Sequence, residues 1–419
     1  MRAEKISKRD PVKVRRDILD APIISSPVPA GRQAKGVDEW DFLPPLPEII
    51  DAVNQFTRLY FQLGFIPKQL FPERLKKDHR SVSVFLLLSI LSISARFTPS
   101  IVLRYGDGMK AADIFMERAS VVALSELYRE PSLERCQAFY LLSIAQQGSG
   151  WKNRSFINLG IAMRMAGLMR LHREETYALK SPTKELIVRA ESARRTFWML
   201  HSQDNLHSGP SSPVSLAASD ITALLPGNEE DFAKGREPKS RAALEDTPPA
   251  IENPRLISDP NRSLFATLIQ THYFWGRISR RAVSHDSSSR PWETMSDYAK
   301  IQKSLDTWEQ GLPRDHVWSS FALKGYKTEG QDLAYLAVTM VIRLCNIVIR
   351  KAYLRYMIFP DQSEPNLRAF WSNMALEMFK NVRELYEQID TQFIDRAPDE
   401  HLGAQMASAP TRPLFKMGQ

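Results

Sequence analysis

Apolar residues recur at helical spacing along most of this 419-residue chain, and no stretch alternates as a strand would. The first such pattern opens at PPLPEIIDAVNQFTRLYFQLG, where Pro47 suits an early helix position and Gly64 a stop. Ile50, Val53, Phe56 (or Thr57) and Tyr60 form its expected buried stripe. Further helices are predicted at about 80–97, 107–128, 132–147, 151–170, 183–207, 262–285, 290–311, 329–358 and 364–390. The fold class this implies is all-α, a single large domain of about ten helices.

Segments without a period mark the boundaries. Residues 1–39 and 393–419 are expected to be disordered tails around one helical body at 40–392. Within that body, residues 226–262 carry six prolines among many charges and read as one long mobile loop. The most apolar run, VSVFLLLSILSISA from Val82 to Ala95, is shorter than the roughly 20 residues a membrane span needs and reads as a buried core helix. No membrane contact is expected.

The most informative stretch runs from Trp151 to Pro226. In WKNRSFINLGIAMRMAGLMRLHRE, Phe156, Leu159, Met163, Ala166 and Arg170 keep helical spacing. Gly160 and Gly167 lie seven apart on one side, either admitting a neighbouring helix or simply tolerated at the surface. Each costs a helix roughly 0.5–1 kcal/mol relative to Ala. A second helix follows in KELIVRAESARRTFWMLHSQDNLHSG, and then SPVSLAASDITALLP.

Taken in order, these pieces resemble the fungal-specific transcription factor domain, the regulatory middle homology region of fungal binuclear zinc-cluster activators. The residues that carry the resemblance are Gly160, Ala162, Ala166, Leu171 and His172, then Arg194, Arg195 and Trp198, then Asp204. Pro213, Asp220, Ile221, Leu225 and Pro226 complete the set. The family usually has Gly-Arg-Pro where Ser211, Ser212 and Pro213 stand here. The resemblance implies a nuclear transcription regulator that receives signals, sometimes from small metabolites, and restrains or licenses an activation segment. It also implies other regulators or a DNA-binding protein as partners, and a metabolic or secondary-metabolite gene cluster as the setting. The competing class is a helical scaffold with no role at promoters.

Arg194 and Asp204 are ten residues apart, about 15 Å along one helix, so they cannot pair with each other. Buried charge pairs that hold the 183–207 helix against the 151–170 helix are expected, with Arg164 as one partner for Asp204. A solvated charged face is the alternative.

The net charge is +8, and residues 1–35 hold nine Lys/Arg against four acids, a local +5 that leaves +3 for the rest. The body is near neutral, which argues against a broad phosphate-binding face. The basic tail resembles the linker that follows a zinc cluster, and weak, nonspecific nucleic-acid contact through residues 1–35 is expected. A binuclear cluster needs six cysteines, whereas this chain has Cys136 and Cys345, both inside apolar stretches. The expectation is an auxiliary regulator acting through a partner, or a gene model that lacks an upstream exon. MRAEKISKRD lacks the apolar core of a secretion signal.

Catalytic, metal and cofactor sites find no support. His201, Asp204 and His207 sit at i, i+3 and i+6, which puts the outer two roughly 120° apart around a helix. His172 near a helix C-terminus suits the dipole. The acidic run Glu229, Glu230, Asp231 follows Pro226 and Gly227 in a loop, not on a helix as a Mg²⁺-dependent cyclase would require. No phosphate-binding glycine loop or nucleophile elbow is present. Arg343, Arg350, Lys351 and Arg355 form a basic stripe with Asn346, read as a solvated face or, less simply, a site for an acidic partner.

Overall fold

The computed structural model describes residues 38–207, 214–283, 290–359 and 365–394. Residues 1–37 and 395–419 of the two tail assignments, and Ser211, Ser212 and Pro213, therefore lie outside the described residues. Asp38 caps a short turn from Glu39, and the last helix runs on to Ile394. Among those described, sixteen α-helices occur, thirteen of seven residues or more, and no strand. The excess over ten comes mainly from short helices whose periodicity is too brief to register in sequence. Two compact units emerge, one from residues 38–57, 65–197 and 232–236 and the other from the remaining described residues.

In the first unit, α1 (Leu46–Leu59) is followed by α2 (Leu70–Lys77), α3 (Val84–Ser94), α4 (Pro99–Tyr105), α5 (Gly108–Glu126), α6 (Leu133–Gly148) and α7 (Lys152–Leu168). Every residue of α3 is buried, and it packs against α5 and α6, with α7 on α6. Its serines cost little because each finds a bond. Ser83 caps the helix at Leu86 N–H, while Ser89, Ser92 and Ser94 donate to the carbonyls of Phe85, Ser89 and Ile90. The core-helix reading of this run holds.

Two stripes differ from expectation. In α1 the buried set is Ile49, Ala52, Val53 and Phe56, so the register is one residue off at Ile50, and Gly64 closes a separate short turn after Leu59. In α7, Leu159, Met163 and Ala166 are buried, but Phe156 is exposed and Arg170 lies past the helix end in the left-handed region at φ 56°.

The chain passes into the second unit within α8 (Lys184–His207), at Phe197–Trp198. Two short helices follow, α9 (Glu229–Lys234), whose first turn holds the acidic run expected in a loop, and α10 (Pro248–Glu252). Then come α11 (Leu264–Val283), α12 (Asp297–Gln310), α13 (Ser320–Thr328), α14 (Asp332–Lys351), α15 (Leu354–Ile358) and α16 (Pro365–Ile394). The 226–262 loop is anchored rather than mobile. Leu225 N–H donates to Ala242 and Ala243 N–H to Leu256, while Ala242, Ala243 and Leu244 are buried. Pro248, Pro249 and Pro254 start helical turns and Pro260 sits in a turn, which a reading of prolines as breakers cannot foresee.

α14 packs against α11, α13 and α16. It is long and apolar enough to cross a membrane, yet 56% of its apolar window is buried within the protein, as in a core helix. Its basic stripe is a solvated face only in part, at Lys351 and, beyond the helix end, Arg355. Arg343 pairs with Glu309 and, at 2.9 Å, with Glu384, and Asn346 and Arg350 are buried.

Candidate functional site

The motif residues converge on α8, whose residues 190–205 are all buried. Ten of those sixteen are polar, so this helix has no solvated face, and each polar group must find a partner.

In the first unit, the Arg194 guanidinium forks onto Glu174 at 2.6 and 2.8 Å and lies 4.0 Å over the Tyr177 ring. Tyr177 is itself tied down by its hydroxyl bond to the Leu171 carbonyl at 2.6 Å. Burial works against the Arg194 charge, but the Glu174 bond and charge outweigh it and hold the group more firmly cationic than usual. Arg195, fully buried, bonds Glu191 one turn back at 3.1 Å and lies 4.2 Å over Phe232. Gln137 donates to Ser192 and Thr196, and Ser192 in turn donates to the Phe65 carbonyl. The segment that carries Phe232 is drawn tight to the start of α8. A Cβ on Gly235, at φ +61°, would stand 2.7 Å from the Lys184 carbonyl oxygen.

His172 lies beyond α7, its ring 6.5 Å from Phe197. Gly160 and Gly167 have nothing within 4 Å of the position a Cβ would take, so neither admits a packed helix. Of the glycine alternatives, the tolerated surface position is the one realised.

In the second unit, Trp198 is fully buried and donates to the Leu224 carbonyl at 2.9 Å, with its ring edge-on to His201 at 5.6 Å. Asp204 does not pair with Arg164, which is exposed. It accepts instead from Ser215, at 2.5 Å from N–H and 3.1 Å from Oγ. Burial raises its pKa, and the Ser215 bonds and the Arg280 charge only partly offset that. His201 bonds Asn205 and His207 bonds Gln203, each a turn away on its own helix. Burial pushes His201 down to about 4. Pro226 offers its carbonyl to Ser263 Oγ at 2.8 Å, while Ile221 and Leu225 are fully buried.

The expected burial of the motif charges is therefore found, with other partners. Glu174, Tyr177, Glu191, Phe232 and Ser215 complete the arrangement, and only the acids of HREETY, just past the helix end, hinted at one of them. Among the described residues no group of three or more His, Cys, Asp or Glu could hold a metal ion. Cys136 and Cys345 are buried free thiols, and burial pushes Cys136 up to about 12. The arrangement fixes helices in place rather than presenting reactive groups.

The model of the fungal specific transcription factor domain matches residues 48–391. An uncharacterized transcriptional regulatory protein of Schizosaccharomyces pombe is 24% identical over 270 residues, covering 62% of this chain and 27% of its own length. A Zn(2)-C6 fungal-type transcription factor of Fusarium oxysporum f. sp. lycopersici is 25% identical over 310 residues, 71% of this chain and 33% of its own. The ascochitine biosynthesis cluster transcriptional regulator of Didymella fabae is 29% identical over 163 residues, 37% of this chain and 27% of its own. The chain thus spans 27–33% of the length of these relatives. No solved structure matches it significantly. With more than three quarters of its length under one family model and the ordered motif built into its helices, the chain belongs to the fungal specific transcription factor domain family, whose members are transcription regulators.

Proposed function

We propose that this chain is the regulatory part of a nuclear transcription regulator that controls a metabolic or secondary-metabolite gene cluster and responds to a small metabolite. The observation that carries the reading is the family match across both helical units, with Arg194, Arg195, Trp198 and Asp204 buried where α8 runs through them. The biosynthesis-cluster regulator among the relatives supports the gene-cluster setting. These 419 residues hold two cysteines, too few for a binuclear zinc cluster, so promoter contact comes through a DNA-binding module outside them, in a partner or in a further part of the protein. The basic residues of 1–35 add weak, sequence-independent attraction to DNA.

Deletion of the gene, with transcript profiling and a fluorescent fusion, tests this. Nuclear signal with a coherent change across one gene cluster is the expected result. Cytoplasmic signal with unchanged transcripts would leave the chain a helical scaffold and refute the reading.

A further inference from the structure

The second unit contains two arginines that no carboxylate among the described residues pairs with. Along α14, Arg343 is fully matched by Glu309, Glu384 and Asn381. Arg350, one heptad on and 6% exposed, has no such match. Its Nη1 donates to the Asn346 carbonyl at 2.7 Å and to Asn346 Oδ1 at 3.1 Å, and its buried Nε has no partner. Glu309 reaches it only through Asn346, whose Nδ2 donates to that carboxylate at 3.2 Å. Arg281, in the last turn of α11, donates to the Tyr353 hydroxyl at 2.5 Å and lies 5.6 Å over the rings of both Tyr298 and Tyr353. Among the described residues no carboxylate pairs with either arginine.

Both cations act on one hydroxyl. Burial raises the pKa of the Tyr298 hydroxyl, and Arg350 and Arg281 are the charges that oppose the rise. Asp306 also acts on that hydroxyl, and its carboxylate bonds Gln302 Nε2 at 2.6 Å rather than either guanidinium. Both arginines sit in the last turns of their helices. Each helix C-terminus supplies roughly half a negative elementary charge. With the Asp306 charge included, two such ends roughly balance the two guanidinium charges, but no carboxylate meets either fork among the described residues. A buried cation left in that condition is costly, and a monoanion placed between the two forks would relieve it. The guanidinium fork matches a carboxylate in two-point fashion.

An aromatic wall adjoins the cations. Tyr353 stands 5.8 Å from Trp371, which is stacked on Tyr356 at 5.3 Å and edge-on to Trp292 at 5.9 Å. Trp292 and Tyr356 are 40% and 41% exposed, so the wall runs from the buried charges out to solvent.

We propose that Arg281, Arg350, Tyr298 and Tyr353 form a binding site for a small monocarboxylate whose flat apolar body lies against Trp371 and Trp292. This gives a ligand class to the metabolite response proposed above and takes its biological meaning from that reading. The binding itself is tested separately, on the purified full chain. The probes are 2-naphthoate and its uncharged isostere 2-naphthamide, read by tryptophan fluorescence and thermal unfolding. Saturable binding of the acid, with the amide weaker by at least about tenfold, is expected from the loss of a charge-assisted contact. Arg350→Met and Arg281→Gln should each weaken the acid by about tenfold and leave the amide unchanged. Arg350→Met should not lower the ligand-free unfolding temperature, because it removes an unpaired buried charge. Arg281→Gln, at a partly exposed position, provides the second reading if Arg350→Met fails to fold.

Equal affinity for acid and amide, no saturable binding of the acid below about 1 mM, or full affinity in the folded arginine variants would overturn the site. Tight, arginine-dependent binding with an unresponsive reporter would uphold the site and remove the regulatory reading instead.

Discussion

The fork between Arg194 and Glu174 offers the sharpest test of how the motif works. Arg194 has 4% of its side chain exposed, whereas Glu174 has 38%, so the pair is neither a surface bridge nor a fully buried one. Exposed pairs contribute about 0–1 kcal/mol, and removing one partner from a buried pair costs about 3–5 kcal/mol. Water at Glu174 screens part of the interaction, which places Glu174→Gln between these limits, at about 1.5–3 kcal/mol. The Tyr177 stack under the guanidinium survives that substitution and keeps the loss below the upper limit. Arg194→Met retains the apolar stem while deleting both interactions. A double-mutant cycle through Glu174→Gln and Arg194→Met should therefore give a coupling of about 1–2 kcal/mol. Urea unfolding followed by circular dichroism measures it, provided the m-value is the same for all four proteins. A coupling below about 0.5 kcal/mol would refute the argument, since the fork would then contribute no more than a solvated pair.

Three further outcomes are expected. Asp204→Asn should cost less than about 1 kcal/mol and Asp204→Ala about 1–2 kcal/mol, because the carboxylate meets an accessible Ser215 rather than a buried cation; a loss of 3 kcal/mol or more for the alanine variant in urea would show a buried charge partner. His201 and His272 are both held near pKa 4 by burial, so the neutral forms stabilise the fold above about pH 6.5. That stability drains away as pH falls from there through about 4, at most about 3 kcal/mol per residue. His272→Leu should flatten the decline in unfolding temperature over this window, and an unchanged slope would count against it. Gly235→Ala should destabilise by more than about 1 kcal/mol, since it combines a positive φ with a clash at the Lys184 carbonyl. Gly160→Ala, with open space around it, should stabilise by about 0.5–1 kcal/mol; equal signs for the two would contradict the geometry.

The all-α class was legible because long periodic segments need little else. The regions around α3, α5, α6, α7 and α8 are predicted within a few residues of their observed bounds. Short helices such as α2, α4 and α13 were not, since one or two turns carry too few apolar positions to set a period. The 329–358 prediction runs through the break between α14 and α15 because apolar residues continue across it, from Ala352 and Tyr353 into Leu354. At α8 the motif pointed to the right residues and the wrong partners. Glu174, Ser215 and Phe232 are brought to Arg194, Asp204 and Arg195 by loops and short turns, and no spacing rule encodes such returns.

The deeper limit is that periodicity counts apolar side chains, whereas this protein buries polar ones where it fixes its helices. In α16, Asn381, Gln388 and Gln392 are buried, while Leu376, Phe379 and Tyr386 are exposed, the reverse of what an amphipathic reading would assign. Asn381 accepts from Arg343 and Gln392 donates to Asp332, so the polar side faces the polar residues of α14. The same logic makes α8 a helix with polar residues on every side and no exposed turn from Ala190 to Asn205. Polar contacts of this kind fix register, because a slip of one turn would strand a charge away from water. The apolar core supplies the drive to fold, and the buried arginines and amides select which arrangement of helices that drive produces.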